Sequence, residues 1–391
     1  MKAKYLKLLV KLISYSLLLG FCFWAYWESN KSLAVAGFNL PEAPSYARVF
    51  PGFDLPEELN QDQLDERFRM KALTDKKLRI NPDFRITRRE RKRTSFWFDI
   101  YTKYDSSKIV VHHTEFPWMI FDVIDVQPIR DQSHLHKWTR YHKEKRYIKN
   151  QKRKIKATLK GVARKSFWKM NKSEKDMFKK LRKHGFVFQK GRRSLYKNFR
   201  SQTGQKDHFQ AGLDRYNEWI EDIEEEFKAK GLPEELTRLP FVESSFNPKA
   251  VSKVGASGIW QIMPMFKKKF DFGYKGDPRN HPIYATKIAA FILKDNKRML
   301  KDWPLAITAY NTGPSMLRKA TRKLKTTNIE TITYKFKAGR FGFASKNFYT
   351  SFLAALHAEK YKEYFFDVPI SENKQVVKNE SSESKGQTAV N

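Results

Sequence analysis

Glu243 closes an apolar stretch, Leu239-Pro240-Phe241-Val242-Glu243, and Ser244-Ser245-Phe246-Asn247-Pro248 follows it. Two further blocks come after it, Gly255-Ala256-Ser257-Gly258-Ile259-Trp260-Gln261-Ile262-Met263-Pro264 and Ala309-Tyr310-Asn311-Thr312-Gly313. A carboxyl at the end of an apolar helical stretch is partly desolvated, which raises its pKa and lets it deliver a proton near neutral pH. That is what a general acid for glycoside cleavage requires. Ordinary glycosidases pair two carboxylates for this work. The neighbouring acids, Glu234, Glu235, Asp271 and Asp277, read instead as surface residues or caps.

The elements that must position this carboxyl follow from periodicity. Phe209 to Lys228 reads as one amphipathic helix, with Leu213, Tyr216, Trp219, Ile220, Ile223 and Phe227 on its apolar side. Gly231 ends it and Pro233 opens the next helix, which carries Leu236, Leu239 and Val242 on one side and places Glu243 near its C-terminus. Pro248 and the Gly255/Gly258 pair force an irregular loop that can bring backbone groups close to a ligand. Further helices are expected at Ile283 to Met299, Trp303 to Tyr310, Ser315 to Leu324 and Ala344 to Tyr361.

From about Phe209 to Tyr364 the three blocks, in this order and spacing, resemble the SLT domain of the lytic murein transglycosylases, lysozyme-like enzymes that cut the glycan strands of bacterial peptidoglycan. The likeness is to their membrane-bound, D-type branch, without evident repeats of its wall-binding module. It implies a mainly α fold: a lysozyme-like helical catalytic domain (206–368), preceded by a basic, mostly helical N-terminal region (37–205) with a small β element. Glu243 matches the single catalytic acid and base of the family. Ser252 and Gln261 match positions that hydrogen-bond the substrate acetamido group, and Met263 matches an apolar floor residue. Tyr310 matches a phenol that bonds the acetamide or the catalytic carboxyl, Asn311 a residue tying the loop shaped by Gly313-Pro314, and Tyr349 a later tyrosine that closes the groove. Ser244 reads as structural. The resemblance implies no cofactor and no metal. The expected partners are glycan strands, with anionic membrane or acidic wall groups for the basic region.

The chain of 391 residues carries a net charge of +35. Between Lys137 and Arg200 stand 25 Lys and Arg against three acids, a block that in a cytoplasmic protein would suggest nucleic acid. The N-terminus opposes that reading. Lys2, Lys4, Lys7 and Lys11 precede an apolar run from Leu12 to Trp27, and Ala34-Val35-Ala36 offers a small-x-small cleavage site. A cleaved export signal (1–36) and a retained anchor both fit, and either places the protein in or facing the periplasm. The sole cysteine, Cys22, lies in this segment, so a mature domain would use no thiol chemistry.

Between these regions the expectations are coarser. Asp62 to Met70 suggests a short helix within a linker, and Thr94 to Asp125 becomes strand-like, with two strands at Lys108 to His113 and Met119 to Ile124. His112 and His113 alternate across the first of these and cannot both face one metal. His134 to Phe199 favours helices broken at Gly185 and Gly191, and residues 369–391 read as a disordered tail.

Overall fold

The computed structural model describes residues 61–186, 195–267, 269–270 and 272–367. The export segment, Gly191, Asp271 and the C-terminal tail lie outside them. Among the described residues no helix is long and apolar enough to cross a membrane.

The chain is mainly helical. After α1 (Gln61–Leu73) comes α2 (Arg91–Thr102), then strands β1 (Lys108–His113) and β2 (Ile120–Asp125), a short α3 (Gln127–Arg130), α4 (Lys137–Arg164), α5 (Lys172–Lys183) and β3 (Phe199–Thr203). The second half runs α6 (Lys206–Ala229), α7 (Leu239–Glu243), α8 (Pro264–Lys267), α9 (Pro282–Leu300), α10 (Trp303–Thr312), α11 (Pro314–Leu324), α12 (Ile329–Lys335) and α13 (Phe343–Lys360). The boundaries of α6, α9, α10, α11 and α13 fall within a few residues of those expected from periodicity. Capping explains the sharp starts: Asp302 accepts from the Leu305 amide at 3.0 Å, and Pro282, Pro304 and Pro314 sit in first turns where a missing N–H costs nothing.

Two expectations fail. Thr94 to Thr102 is not strand-like but helical, and Phe96, Trp97, Phe98, Ile100 and Tyr101 are all buried in it. A helix enclosed on nearly every side loses the 3.6-residue polar stripe that would reveal it, and its aromatic content then reads as strand. The sheet has three strands rather than two, in the antiparallel order β2-β1-β3. β3 is Phe-Arg-Ser-Gln-Thr, an edge strand with no buried residue, so its pattern carries no alternation to detect.

The sheet stands between two cores. Val110 of β1 joins the larger core and His112 lies 4.8 Å from the Phe96 ring, whereas Ile109 and Val111 join a smaller core with Ile155, Leu159 and Val162 of α4 and Leu181 of α5. Strand alternation sends neighbours to opposite faces, so β1 serves both. The larger core does not stop at residue 206. It takes Ala72, Phe84, Phe96, Phe98 and Tyr101 together with Phe209, Phe241, Leu305 and Phe352, and α2 packs along α13. Trp97 Nε1 and Arg93 Nη1 both donate to Asn347 Oδ1, at 3.1 and 3.0 Å, fixing that packing.

Candidate active site

α7 is one turn and a half, preceded by a 3-10 segment (Glu234–Arg238) where one continuous helix was expected. Pro240 in the first turn of α7 accounts for the break, because its ring leaves no amide for a helical bond from the preceding turn. Arg238 anchors the junction. Only 3 % exposed, it donates to Glu359 Oε2 at 3.1 Å and to the Tyr216 hydroxyl at 2.8 Å, and it pairs with Glu224. Phe241 is stacked on Phe209 at 4.3 Å, which holds the apolar side of α7 against α6.

Glu243 is the last residue of this turn and is half-buried. Its carboxyl is pushed up to about 8, and burial is the only cause. Despite the charge of the chain, no Lys or Arg among the described residues forms an ion pair with it. A carboxyl so placed is protonated at neutral pH and can donate. Immediately after it, Ser245 (φ 51°) and Phe246 (φ 57°) take left-handed conformations, which are costly for residues with a Cβ. Arg215 Nη2 donating to Ser245 O at 2.6 Å and the burial of Phe246 against Phe241 at 4.7 Å hold that sharp exit in place. Ser244 Oγ donates to Ile259 O at 2.8 Å and joins the turn to the next loop, the structural part expected of it.

The glycine-containing loop is closed on itself. Ser252 N donates to Ala256 O at 2.8 Å, and Ser252 Oγ accepts from the Ala256 amide at 3.0 Å. Gly258, at φ +78°, passes so close to Arg279 O that a Cβ would lie 1.7 Å from it. Gln261 Nε2 donates to Ala250 O and to Gly258 O, both at 3.0 Å, so its amide carbonyl is the end left for a ligand. Arg279 Nη1 donates to Gly255 O and Ile262 O, and Asp277 orients that guanidinium, which holds the Asp277 carboxyl down at about 2. Asp277 is thus a loop brace. Glu234 pairs with Lys360 at the surface, while Glu235 is not the surface residue its sequence suggests: it is buried and accepts from the Asn81 amide at 3.0 Å.

Gln261, Met263, Tyr310 and Asn311 line one groove of about 270 Å³, with Phe266 and Phe291 on its far wall. Met263 is exposed at its rim. Tyr310 Oη donates to Trp260 O at 2.8 Å, and its ionisation is opposed by burial first and by the Glu243 charge second, which places the phenol in the field of the acid. Asn311 Oδ1 accepts from Ser345 Oγ at 3.1 Å, tying α10 to α13. Ser252 and Tyr349 are not brought to this groove wall. Tyr349 is buried and lines a small recess with Glu90, Thr308 and Ser345 on the other side of α10.

Sequence reasoning missed Tyr101. It comes from α2, is 2 % exposed, and packs on Phe209 at 5.4 Å; its phenol is pushed up by burial, with Glu243 as the one charge that adds to the shift. No local motif marks it, because only the packing of α2 on α6 and α13 carries it there.

The comparisons with known proteins agree with this geometry. The Transglycosylase SLT domain family matches residues 222–333. Membrane-bound lytic murein transglycosylase D of Escherichia coli (strain K12) is 36% identical over 115 residues, covering 28% of this chain and 24% of that protein. A putative tributyltin chloride resistance protein of Alteromonas sp. (strain M-1) is 36% identical over 103 residues, 26% of this chain and 50% of the relative. The chain thus spans about a quarter to a half of the length of these relatives. Residues 222–333 are thus similar to the Transglycosylase SLT domain, and over this part the chain is similar to membrane-bound lytic murein transglycosylase D.

Proposed function

We propose that the protein is a peptidoglycan lytic transglycosylase in which Glu243 acts first as acid and then as base. The observation that carries this reading is a carboxyl at the end of α7 that burial raises to about 8, with no ion pair among the described residues, and whose charge bears on Tyr310, which lines a groove with Gln261, Met263 and Asn311. Glu243 protonates the oxygen of the β-1,4 bond between N-acetylmuramic acid and N-acetylglucosamine, and the C1–O bond breaks. The substrate's own N-acetyl oxygen steadies the oxocarbenium-like C1, a role for which a second carboxylate would otherwise be needed. The ionised Glu243 then takes the proton of the C6 hydroxyl, and O6 bonds to C1 to leave a 1,6-anhydromuramoyl end. No water is consumed.

In this reading Gln261 holds the acetamido group, Met263 faces the sugar, and Asn311 fixes the loop, while Ser252 closes the glycine-containing loop. Residues 206–368 supply the groove, and α2 packs along α13 behind it. The protein works outside the cytoplasm, exported or anchored. The cation-rich outer face of α4 and α5, with Trp138 and Trp168 exposed, attracts anionic headgroups or acidic wall groups.

Mass spectrometry of products from purified glycan strands tests the reaction. Anhydro ends made by the wild type and absent with Glu243→Gln are expected; reducing ends alone would mean hydrolysis and overturn the transglycosylase claim.

A further inference from the structure

A second pocket lies on the other side of α13 from the groove, at the seam between α2, the β1–β2 turn and the segment that follows α12. It encloses about 180 Å³ and is lined by Arg93, Glu115, Tyr334, Phe343, Lys346 and Asn347 among others. Arg93, Thr333 and Lys346 also line the small recess that holds Tyr349 and Ser345, and Ser345 bonds Asn311 of the glycan groove. The recess, and the Ser345–Asn311 bond at its edge, therefore lie between the two sites.

The chemistry of this pocket is cationic. Arg93 is 6 % exposed, yet it donates to neutral oxygens: Asn347 Oδ1 at 3.0 Å and the Glu115 carbonyl at 2.8 Å. Its guanidinium lies 5.4 Å from the Trp118 and Tyr334 ring centres. Lys346 is half-buried, and burial first favours loss of its proton, with Arg93 and Lys337 acting the same way and Glu115 opposing them. Arg200 of β3 covers the Phe343 ring at 4.1 Å and adds a third cation beside the mouth. The acids nearby are Glu115, exposed at the rim, and Glu330, which lines the adjoining recess and whose carboxyl is itself pushed up by burial and Glu90. Both act on Arg93 from a distance, and neither forms an ion pair with Arg93 or Lys346 among the described residues. A buried guanidinium beside a half-buried lysine, without a directly paired carboxylate, gains from a ligand that supplies the anion. The planar fork of an arginine and a lysine beside aromatic walls suit a carboxylate on a small organic group.

We propose that this pocket binds a carboxylate of the peptidoglycan ligand, with Arg93 and Lys346 as its cationic partners. The proposal rests on the peptidoglycan reading above and extends it to groups that branch from the sugar chain. Two sources are distinguished: the free lactyl carboxylate of a muramic acid without a stem, and the terminal carboxylate of a stem peptide where one is attached.

Titration calorimetry on the full chain carrying Glu243→Gln tests this without turnover. The probes are N-acetylmuramic acid and N-acetyl-D-alanyl-D-alanine, each beside its carboxamide. At least one acid is expected to bind about tenfold more tightly than its amide, and Lys346→Gln to abolish that difference. The acid that shows the preference identifies the source. Arg93→Lys should retain part of it; if that chain does not fold, Lys346→Gln decides alone. Acid and amide binding alike for both probes, or an undiminished preference in Lys346→Gln, would overturn the proposal. Cleavage by the Glu243→Gln chain would refute the catalytic assignment without touching this one.

Discussion

Tyr310 gives its one hydroxyl proton to the carbonyl of Trp260, at 2.8 Å, so toward Glu243 and the groove the phenol has only lone pairs to offer. The phenol stands in the field of Glu243, whose own rise comes from burial. Tyr310→Phe removes the hydroxyl and leaves the burial in place. It leaves Trp260 O without its partner, a loss of about 1–3 kcal/mol. Chemical denaturation should show that loss, and cleavage should fall more than substrate binding does.

Glu243 makes stability depend on pH with a definite sign. Its folded pKa, about 8, lies above the ordinary value of 4.5, so the folded state holds a proton that the unfolded state gives up. Its environment is therefore least costly below about 4.5, and stability declines as pH rises from there to about 8, by at most about 1.4 kcal/mol per pH unit. Glu243→Gln should flatten that slope in urea titrations at pH 5 and pH 8. The wild-type rate should fall above pH 8, where the acid is ionised.

The glycine loop tolerates no side chain at Gly258. Both φ +78° and the 1.7 Å approach of a Cβ to Arg279 O oppose Gly258→Ala. A loss of more than about 2 kcal/mol is expected, with Gln261 displaced because it bonds Gly258 O. A thermal scan and the product assay together check it; an unchanged melting temperature would refute the strain argument.

The SLT-like part of the chain packs on the segment before it. Phe209, Phe241 and Phe352 share one core with Phe84, Phe96, Phe98 and Tyr101. A chain beginning at Lys206 exposes that aromatic surface and should be aggregated or lack cooperative unfolding by circular dichroism. Within the intact chain, Tyr101→Phe should fold and lower the cleavage rate, since the phenol stands in the field of Glu243.

The buried pair of Arg238 and Glu359 braces the turn that carries the acid. Arg238→Met leaves Glu359 buried without its strongest partner and should cost about 3–5 kcal/mol. Pairing it with Glu359→Gln should recover part of that loss in a double-mutant cycle.

The sequence by itself determined the helices that have one wet face. α6, α9 and α11 show their apolar residues at helical spacing, and Pro and Gly mark their ends, because capping and amphipathicity are local properties. It also pointed to Glu243 and to Gln261, Met263, Tyr310 and Asn311, four residues that line one groove, since their blocks lie within about seventy residues and carry their own turn chemistry. Tertiary structure alone decided the rest. α2 is enclosed, so its helical period has no polar side to show, and β3 is an edge with no buried side. Tyr101, Arg93 and Glu359 owe their roles to contacts across more than a hundred residues of chain, which no spacing encodes. Even the raised pKa of Glu243 belongs to this second class: the apolar stretch suggested it, but burial, to which the packing of α7 on α6 and α13 contributes, is its cause.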